Sequence, residues 1–375
     1  VTWPTVKLGS LMPKSQGSVN PQQFPNETFE LYSIPAFDKG AAEIVKGQAI
    51  GSTKQVVSPN DILISKIVPH IRRAWVVDDD NGLRKIASGE WIVFQSSKLS
   101  TSYFRHFLLS DIFHRQFMST VAGMGGSLLR AKPSLVSEFH MKLPPLAEQQ
   151  RIAAILDKAE EIKRKREQAI AKLDLLAQST FVEMFSNKNF DRQPLKALGI
   201  IKTGGTPPSS QNGMFDGDIP FITPGDLAVM RGAKRTVTSA GAKESVTVRE
   251  GSALVCCIGA TIGKMDKAKS YCAFNQQINA VEWNDLINDD YGIAAMNSIK
   301  NEIISSSTST TLPILKKSLF ERLEIPVPPL SVQIYFSNKV KLIHKNTQLQ
   351  LYGLDKENIL FQSLQHQAFT TGFHA

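Results

Sequence analysis

The sequence predicts two α/β (α+β) domains in tandem, separated by two long helices that pair with each other. Three observations carry that prediction: a repeat at one fixed offset, two proline-free stretches with helical apolar spacing, and short β-prone runs broken by turn residues.

The repeat sets the plan. Leu143-Pro144-Pro145-Leu146-Ala147-Glu148-Gln149 recurs as Val327-Pro328-Pro329-Leu330-Ser331-Val332-Gln333, 184 residues later. At the same offset Leu176-Ala177-Gln178-Ser179 matches Leu360-Phe361-Gln362-Ser363, and Phe185 matches Phe369. Before each Pro-Pro, Ser127-Leu128-Leu129-Arg130-Ala131-Lys132-Pro133-Ser134-Leu135 faces Thr311-Leu312-Pro313-Ile314-Leu315-Lys316-Lys317-Ser318-Leu319. Several matches at one offset indicate duplication. The expected segments are a first head over 1–146, a helix over 147–186, a second head over 187–330, a helix over 331–370 and a tail over 371–375.

From Ala147 no Gly or Pro occurs until Pro194, and helix formers dominate. Apolar or small residues fall at Ile152, Ile155, Ala159, Ile162, Ala169, Leu173 and Leu176, with Arg166 interrupting the stripe. Pro144-Pro145 cannot sit inside such a helix and marks its entry. A helix from Ala147 to Phe185 would be about 58 Å long at ~1.5 Å per residue. The second copy keeps Phe336, Val340, Ile343, Leu351, Leu354 and Phe361 but carries Gly353 mid-run. Each apolar stripe must be buried, and the nearest partner is the duplicate. Two helices in separate globular cores are the alternative. Their length and the even count of seven basic and seven acidic residues in 147–185 favour an exposed rod. Leu156 and Ile170 are expected on the outer face, available to partner helices.

The heads read as short strands, namely Asp61–Ile64, Ala74–Val77, Trp91–Phe94, Ala253–Val255 and Ile278–Val281, with a short helix near Tyr103 to Met118. Asp78-Asp79-Asp80-Asn81-Gly82 reads as a solvated hairpin turn. Away from their ends the heads match each other poorly, which suggests that they read different things.

Hydrophobic content of 42%, charged content of 21% and a mean hydropathy of −0.13 describe a globular chain. No run approaches ~18 apolar residues, and Val1-Thr2-Trp3-Pro4 does not open a secretory signal. Cys256, Cys257 and Cys272 read as small buried hydrophobes in a reducing cytoplasm. The net charge of +9 favours a polyanionic partner. Its largest excess lies in 1–146, with 16 basic against 11 acidic residues.

Enzymatic signatures are missing. Asn20-Pro21-Gln22-Gln23-Phe24 is not the Asn/Asp-Pro-Pro-aromatic loop of an adenine methyltransferase. Gly259-Ala260-Thr261-Ile262-Gly263-Lys264-Met265 is one residue short of a P-loop and reads as a strand-end turn. The seven histidines show no metal-ligand spacing, and no Gly-x-Ser-x-Gly elbow occurs. The expectation is no catalytic centre, no metal and no cofactor in this chain.

Two Pro-Pro-Leu-x-x-Gln boundaries, each preceded by a Lys-x-Ser-Leu-like stretch and followed by a long helix, resemble the specificity (S) subunit of type I restriction–modification systems. So do Leu195-Lys196-Ala197-Leu198-Gly199, Thr203-Gly204-Gly205-Thr206-Pro207, Gly217-Asp218-Ile219-Pro220-Phe221-Ile222-Thr223 and Gly259-Ala260-Thr261-Ile262-Gly263-Lys264 in the second head. The first head keeps Val6-Lys7-Leu8-Gly9 but has no Thr-Gly-Gly-Thr-Pro equivalent. The resemblance implies two target-recognition domains on an antiparallel coiled coil that reads a bipartite double-stranded DNA site. It also implies docking of two modification subunits, which bind S-adenosylmethionine, and of restriction subunits that can join to add ATP-driven cleavage. An orphan or silent cassette acting only as a scaffold, and a stand-alone methyltransferase, are the alternatives.

Reading bases requires side chains on base edges: Arg or Lys to guanine, Asn or Gln to adenine. The first head offers Lys14, Gln16 and Ser18, and then His70, Arg72 and Arg73. The second offers Thr206, Ser209, Ser210, Gln211 and Asn212, with Lys264, Asn275, Gln276 and Gln277. Arg73 aligns with Lys264, each at the turn after an apolar strand.

Overall fold

The computed structural model describes residues 3–14, 17–122, 129–186, 188–228, 232–308 and 313–373. They fall into two compact units, Val1–Gln168 with Tyr352–Ala375, and Ala169–Leu351. Each unit takes one head and a part of both long helices.

The first head runs through β1 (Thr5–Lys7), β2 (Ser18–Val19), β3 (Thr28–Tyr32), α1 (Ile34–Lys39), β4 (Glu43–Lys46), β5 (Lys54–Val56), β6 (Ile62–Ser65), β7 (Ala74–Val76), β8 (Arg84–Ala87) and β9 (Trp91–Phe94). It continues with α2 (Thr101–Leu109), α3 (Asp111–Ser119), β10 (Val121–Ala122), β11 (Arg130–Ala131), α4 (Pro133–Val136) and β12 (His140–Lys142), then enters α5 (Leu146–Phe185). One sheet has the order β2-β5-β8-β3-β4, a second β7-β6-β9, and β1 pairs with β12 to tie the ends of the head together. Apolar runs such as Ile62-Leu63-Ile64 and Trp91-Ile92-Val93-Phe94 are buried on both faces.

Three expectations for this head are corrected. The single helix near Tyr103 to Met118 is two helices, because Ser110 is extended (φ −71, ψ 155) and its side chain caps α3 at Phe113 N. The Asp78–Gly82 segment is no hairpin, since β7 belongs to one sheet and β8 to the other. Nor is it wholly solvated. Asn81 donates to Glu30, which pairs with buried Lys85 and accepts from Tyr32, while Asp78 N donates to the Tyr32 hydroxyl.

The second head comprises β13 (Arg192–Pro194), α6 (Leu195–Leu198), β14 (Gly199–Thr203), β15 (Phe215–Ile222), β16 (Arg235–Val237), α7 (Ser239–Lys243), β17 (Val246–Val248), β18 (Ala253–Cys256), β19 (Met265–Lys267), β20 (Cys272–Phe274) and β21 (Ile278–Trp283). Helices α8 (Asp289–Ser298), α9 (Lys300–Ser305) and α10 (Lys317–Phe320), then β22 (Glu324–Pro326), lead into α11 (Leu330–Thr370). Its sheets are β16-β15-β20-β17 and β14-β21-β18-β19, and β13 pairs with β22.

Despite their unlike sequences the heads share a common core topology, to which each adds one edge strand, β2 or β14. In each head one sheet, β2-β5-β8-β3-β4 or β16-β15-β20-β17, contains one parallel pair, β3 with β8 or β15 with β20, flanked by antiparallel neighbours among the described residues. In the other sheet of each head a strand, β6 or β18, lies between equivalent partners. Among the described residues, the head without Thr-Gly-Gly-Thr-Pro also shows no counterpart of β14, the strand that leads into that motif.

The long helices form where expected, but the apolar seam is partly different. On α5 the more buried residues recur at 152, 156, 159, 163, 166, 170, 173, 177, 180 and 184, an alternating four–three pattern. On α11 they recur at 336, 340, 343, 347, 350, 354, 357, 361, 364 and 368, the same phase 184 residues on. Ile152, Ala159, Leu173, Phe336, Val340, Ile343 and Leu354 therefore lie in the seam, while Ile155 and Leu351 are half-buried beside it. Ile162 and Leu176 are corrected to exposed positions, 44% and 48% accessible. Leu156, expected outside, is fully buried, and Ile170 is half-buried in the seam.

In the first unit the start of α5 packs with the end of α11. Ile152 and Leu156 share a core with Ala368 and Phe369, with Phe361 and Leu364 packed against it. Arg166 does not interrupt the stripe but occupies a seam position, its Nε donating to Glu357 at 2.8 Å. Gly353 makes the space, since a Cβ there would stand 2.5 Å from the Arg166 Nη1. In the second unit the end of α5 packs with the start of α11, with Phe181 and Phe185 at 5.6 and 5.4 Å from Phe336 between ring centroids. Start-to-end packing in both units is antiparallel pairing.

Candidate functional site

In the second head four turns converge at one sheet end. The chain leaves β14 through Gly204-Gly205, whose amides donate to Ile278 O and Phe274 O, 3.0 Å each. A Cβ on Gly204 would lie 2.1 Å from Asn275 O, so only glycine permits this approach. Thr206 Oγ1 then donates to Gln276 Oε1 at 2.6 Å, and Ser209, Ser210, Gln211 and Asn212 follow on an exposed loop. Asn275 N donates to Ile222 O, while the Asn275 amide donates to Gln277 Oε1 at 3.1 Å. Gln277 O accepts from Cys257 N beside the 258–264 turn. Lys264 Nζ reaches Pro224 O at 3.1 Å, and Asp226 gathers Thr223 and Lys234 N. All nine side chains expected to read DNA in this head therefore lie on turns joined to one another. The cluster offers neutral amides, hydroxyls and one ammonium, donors and acceptors of the kind base edges match.

The first head splits its candidates. Ser18 lies exposed on β2, paired with Gln55 of β5, and Lys14 is exposed just before it. Gln16 lies outside the described residues. No described hydrogen bond joins these to the second group, on the turn between β6 and β7. That turn matches the 258–264 turn: Ser65 N donates to Arg73 O as Cys256 N donates to Lys264 O. Val68 (φ +46) stands where the second head has Gly259 (φ +93), a left-handed position costly for a β-branched residue.

Arg73 of this turn is engaged internally, which corrects the expectation that it faces bases, whereas Arg72 stays exposed within a surface ion pair. Arg73 is 8% exposed and forks onto Asp38 at 2.7 and 2.9 Å. Arg72 donates to Leu109 O and Asp111 at 2.9 and 2.5 Å, bracing the turn on the α2–α3 corner. His70 and Ile71 remain outermost, Ile71 at 44% exposure.

Sequence reading missed the role of the glutamine in each Pro-Pro-Leu-x-x-Gln motif. Gln149 Nε2 donates to Lys98 O and Pro144 O, 2.9 Å each, and its Oε1 accepts from Ser100 N at 2.9 Å. Gln333 repeats the pattern with Leu286 O, Pro328 O and Asn288 N. Each buried amide thus staples its helix to the residue capping α2 or α8, and the recurrence of the motif was its signal.

His106, Asp157 and Glu160 place possible ligand atoms within 4.8 Å of one another. The acids are already engaged: Ser102 donates to Asp157 at 2.6 Å and Arg105 forks onto Glu160 at 2.9 and 3.2 Å. Burial, only partly offset by the Asp157 hydrogen bond, pushes the imidazole below its usual value. The cluster braces α2 on α5. Burial pushes the thiols of Cys257 and Cys272 up to about 12, leaving them un-ionised. Among the described residues no helix is long and apolar enough to cross a membrane.

Comparison with known proteins places this architecture. The type I restriction–modification system S subunit from M. genitalium, 14% identical, has a TM-score of 0.61 over 98% of this chain and 96% of that one. A chain from a structure on complex assembly and conformational transition of the type I R-M system, 19% identical, gives 0.64 over 99% and 98%. At these identities the likeness is one of fold. The type I restriction enzyme MjaIX specificity subunit of Methanocaldococcus jannaschii is 29% identical over 150 residues, 38% of this chain and 34% of that relative. The match thus spans about a third of the relative's length. The family described as type I restriction modification DNA specificity domain matches residues 1–172 and 187–345. With that match over most of its length, the chain belongs to the type I restriction–modification DNA specificity family.

Proposed function

We propose that this chain reads a bipartite double-stranded DNA site, one block per head, as the non-catalytic specificity subunit of a type I complex. The observation that carries the reading is one core head topology present twice with unlike loops, each head packed on the same helix pair. A shared scaffold with different polar turns is what two different base sequences demand. The helix pair acts as a spacer, so the two blocks are separated by a fixed number of base pairs.

Two modification subunits dock on the outer faces of the helices. Leu175, Leu176 and Val182 on α5, and Tyr335, Leu342 and Leu349 on α11, are 48–64% exposed and apolar. S-adenosylmethionine and ATP act on those partners and on restriction subunits that join them, and methyl transfer occurs there. The complex works in the cytoplasm.

Mapping methylated adenines genome-wide, with and without this gene, tests the proposal. Loss of one motif made of two short blocks and a fixed gap is expected on deletion. An unchanged methylation pattern would overturn it.

A further inference from the structure

Beyond the turns already considered, one cation in the second head is held in an unusual way. Arg235 opens β16, an exposed position on the edge strand of the β16-β15-β20-β17 sheet. Its guanidinium carbon lies 4.3 Å from the Phe215 ring centroid and 5.8 Å from that of Phe221. Among the described residues its guanidinium makes no ion pair or hydrogen bond. Two other arginines of this head are committed: Arg249 forks onto Asp289, and Arg192 reaches Glu324 O and Glu302.

Its place in the fold gives this meaning. Arg235 pairs in register with Phe221, one residue before Ile222, whose carbonyl holds Asn275. The backbone of neighbouring Lys234 is fixed by Asp226, in the turn that Lys264 also contacts. Phe215, the ring beneath the guanidinium, follows the exposed Ser209–Asn212 loop by three residues. Arg235 therefore stands at the convergence of the polar turns, between the 206–212 loop and the 223–226 turn.

We infer that Arg235 is a specificity-determining residue that reads a guanine in the block recognised by the second head, an inference that rests on the DNA-reading function proposed above. Packing against Phe215, with the Phe221 ring set at right angles beside it, restrains the guanidinium in place while its N–H groups carry no partner. A planar fork restrained in advance matches the O6 and N7 of guanine with little further loss of side-chain freedom. A phosphate contact needs only charge, which exposed Lys234 next door already supplies.

The test uses the full chain with its modification subunit and selects from a pool of randomised duplex DNA. Wild type should enrich one bipartite motif with a guanine in the second head's block. Both Arg235→Lys and Arg235→Ala should lose preference for that base by roughly five- to a hundredfold, keeping the rest of the motif. The other block serves as the folding control in each variant. A motif unchanged in Arg235→Lys, or one with no guanine in that block, overturns the inference alone. If wild type enriches no motif, the DNA-reading function itself fails.

Discussion

Replacing Gln149 with leucine should cost the first unit about 3 kcal/mol. The side chain is 1% exposed and satisfies three backbone groups: the Ser100 amide and the Lys98 and Pro144 carbonyls. Each buried group left without a partner costs about 1–3 kcal/mol. At about 1.3 kcal/mol each the three groups cost about 4 kcal/mol; leucine fills the volume and returns about 1 kcal/mol of apolar burial, which leaves about 3. For a unit of roughly 190 residues, this moves the melting midpoint down by about 6–12 °C. Calorimetry should show the loss in the transition of the first unit and leave that of the second in place. Gln333→Leu should lower the other by a similar amount, because its three partners are equivalent. A shift below about 2 °C in both variants would refute the view that these amides staple head to helix.

Three further outcomes are expected. Gly204→Ala sets a Cβ against the Asn275 and Phe274 carbonyls, so binding to the second head's block should fall at least about tenfold, a loss of ~1.4 kcal/mol, in a mobility-shift titration, with the first block's contribution intact. Val68→Gly relieves a left-handed β-branched residue and should raise stability by about 1 kcal/mol against denaturant. His106 titrates below its ordinary 6.5 when folded, so on acidification the unfolded chain takes up this proton first. The stability that His106 lends is present above pH 6.5 and declines as pH falls below it. His106→Phe should flatten the melting temperature of the first unit between pH 7 and 5.5.

Much of this fold is legible in the sequence because duplication leaves a strong trace. The Pro-Pro boundaries locate both helices to within one residue of their starts. The seam is harder. Around Ile152 and Ala159 the steps 155, 162 and 156, 163 both fit helical spacing, and Lys163 and Arg166 make the true phase look polar. The second copy resolves it, because Phe336, Val340 and Ile343 are the equivalents of 152, 156 and 159. Arg72 and Arg73 show the limit of reading charge locally. Their partners Asp111 and Asp38 lie 39 and 35 residues away, and nothing in the loop's own composition reveals them. Arg235 is missed for the same reason, since the rings beside it come from another strand. The shared topology of the heads is invisible in residue identities because apolar strands tolerate many substitutions with the same burial.

The most direct test of the central claim is to remove one heptad from each helix, residues 163–169 together with 347–353, which keeps the four–three phase on both. Each helix shortens by about 10.5 Å at ~1.5 Å per residue, close to three base pairs of duplex at about 3.4 Å each. Adenine methylation mapped for this variant should show both blocks unchanged and the gap between them shorter by about three base pairs. The same gap as wild type would contradict the account, because the helix pair would then not set the distance between the two reading heads.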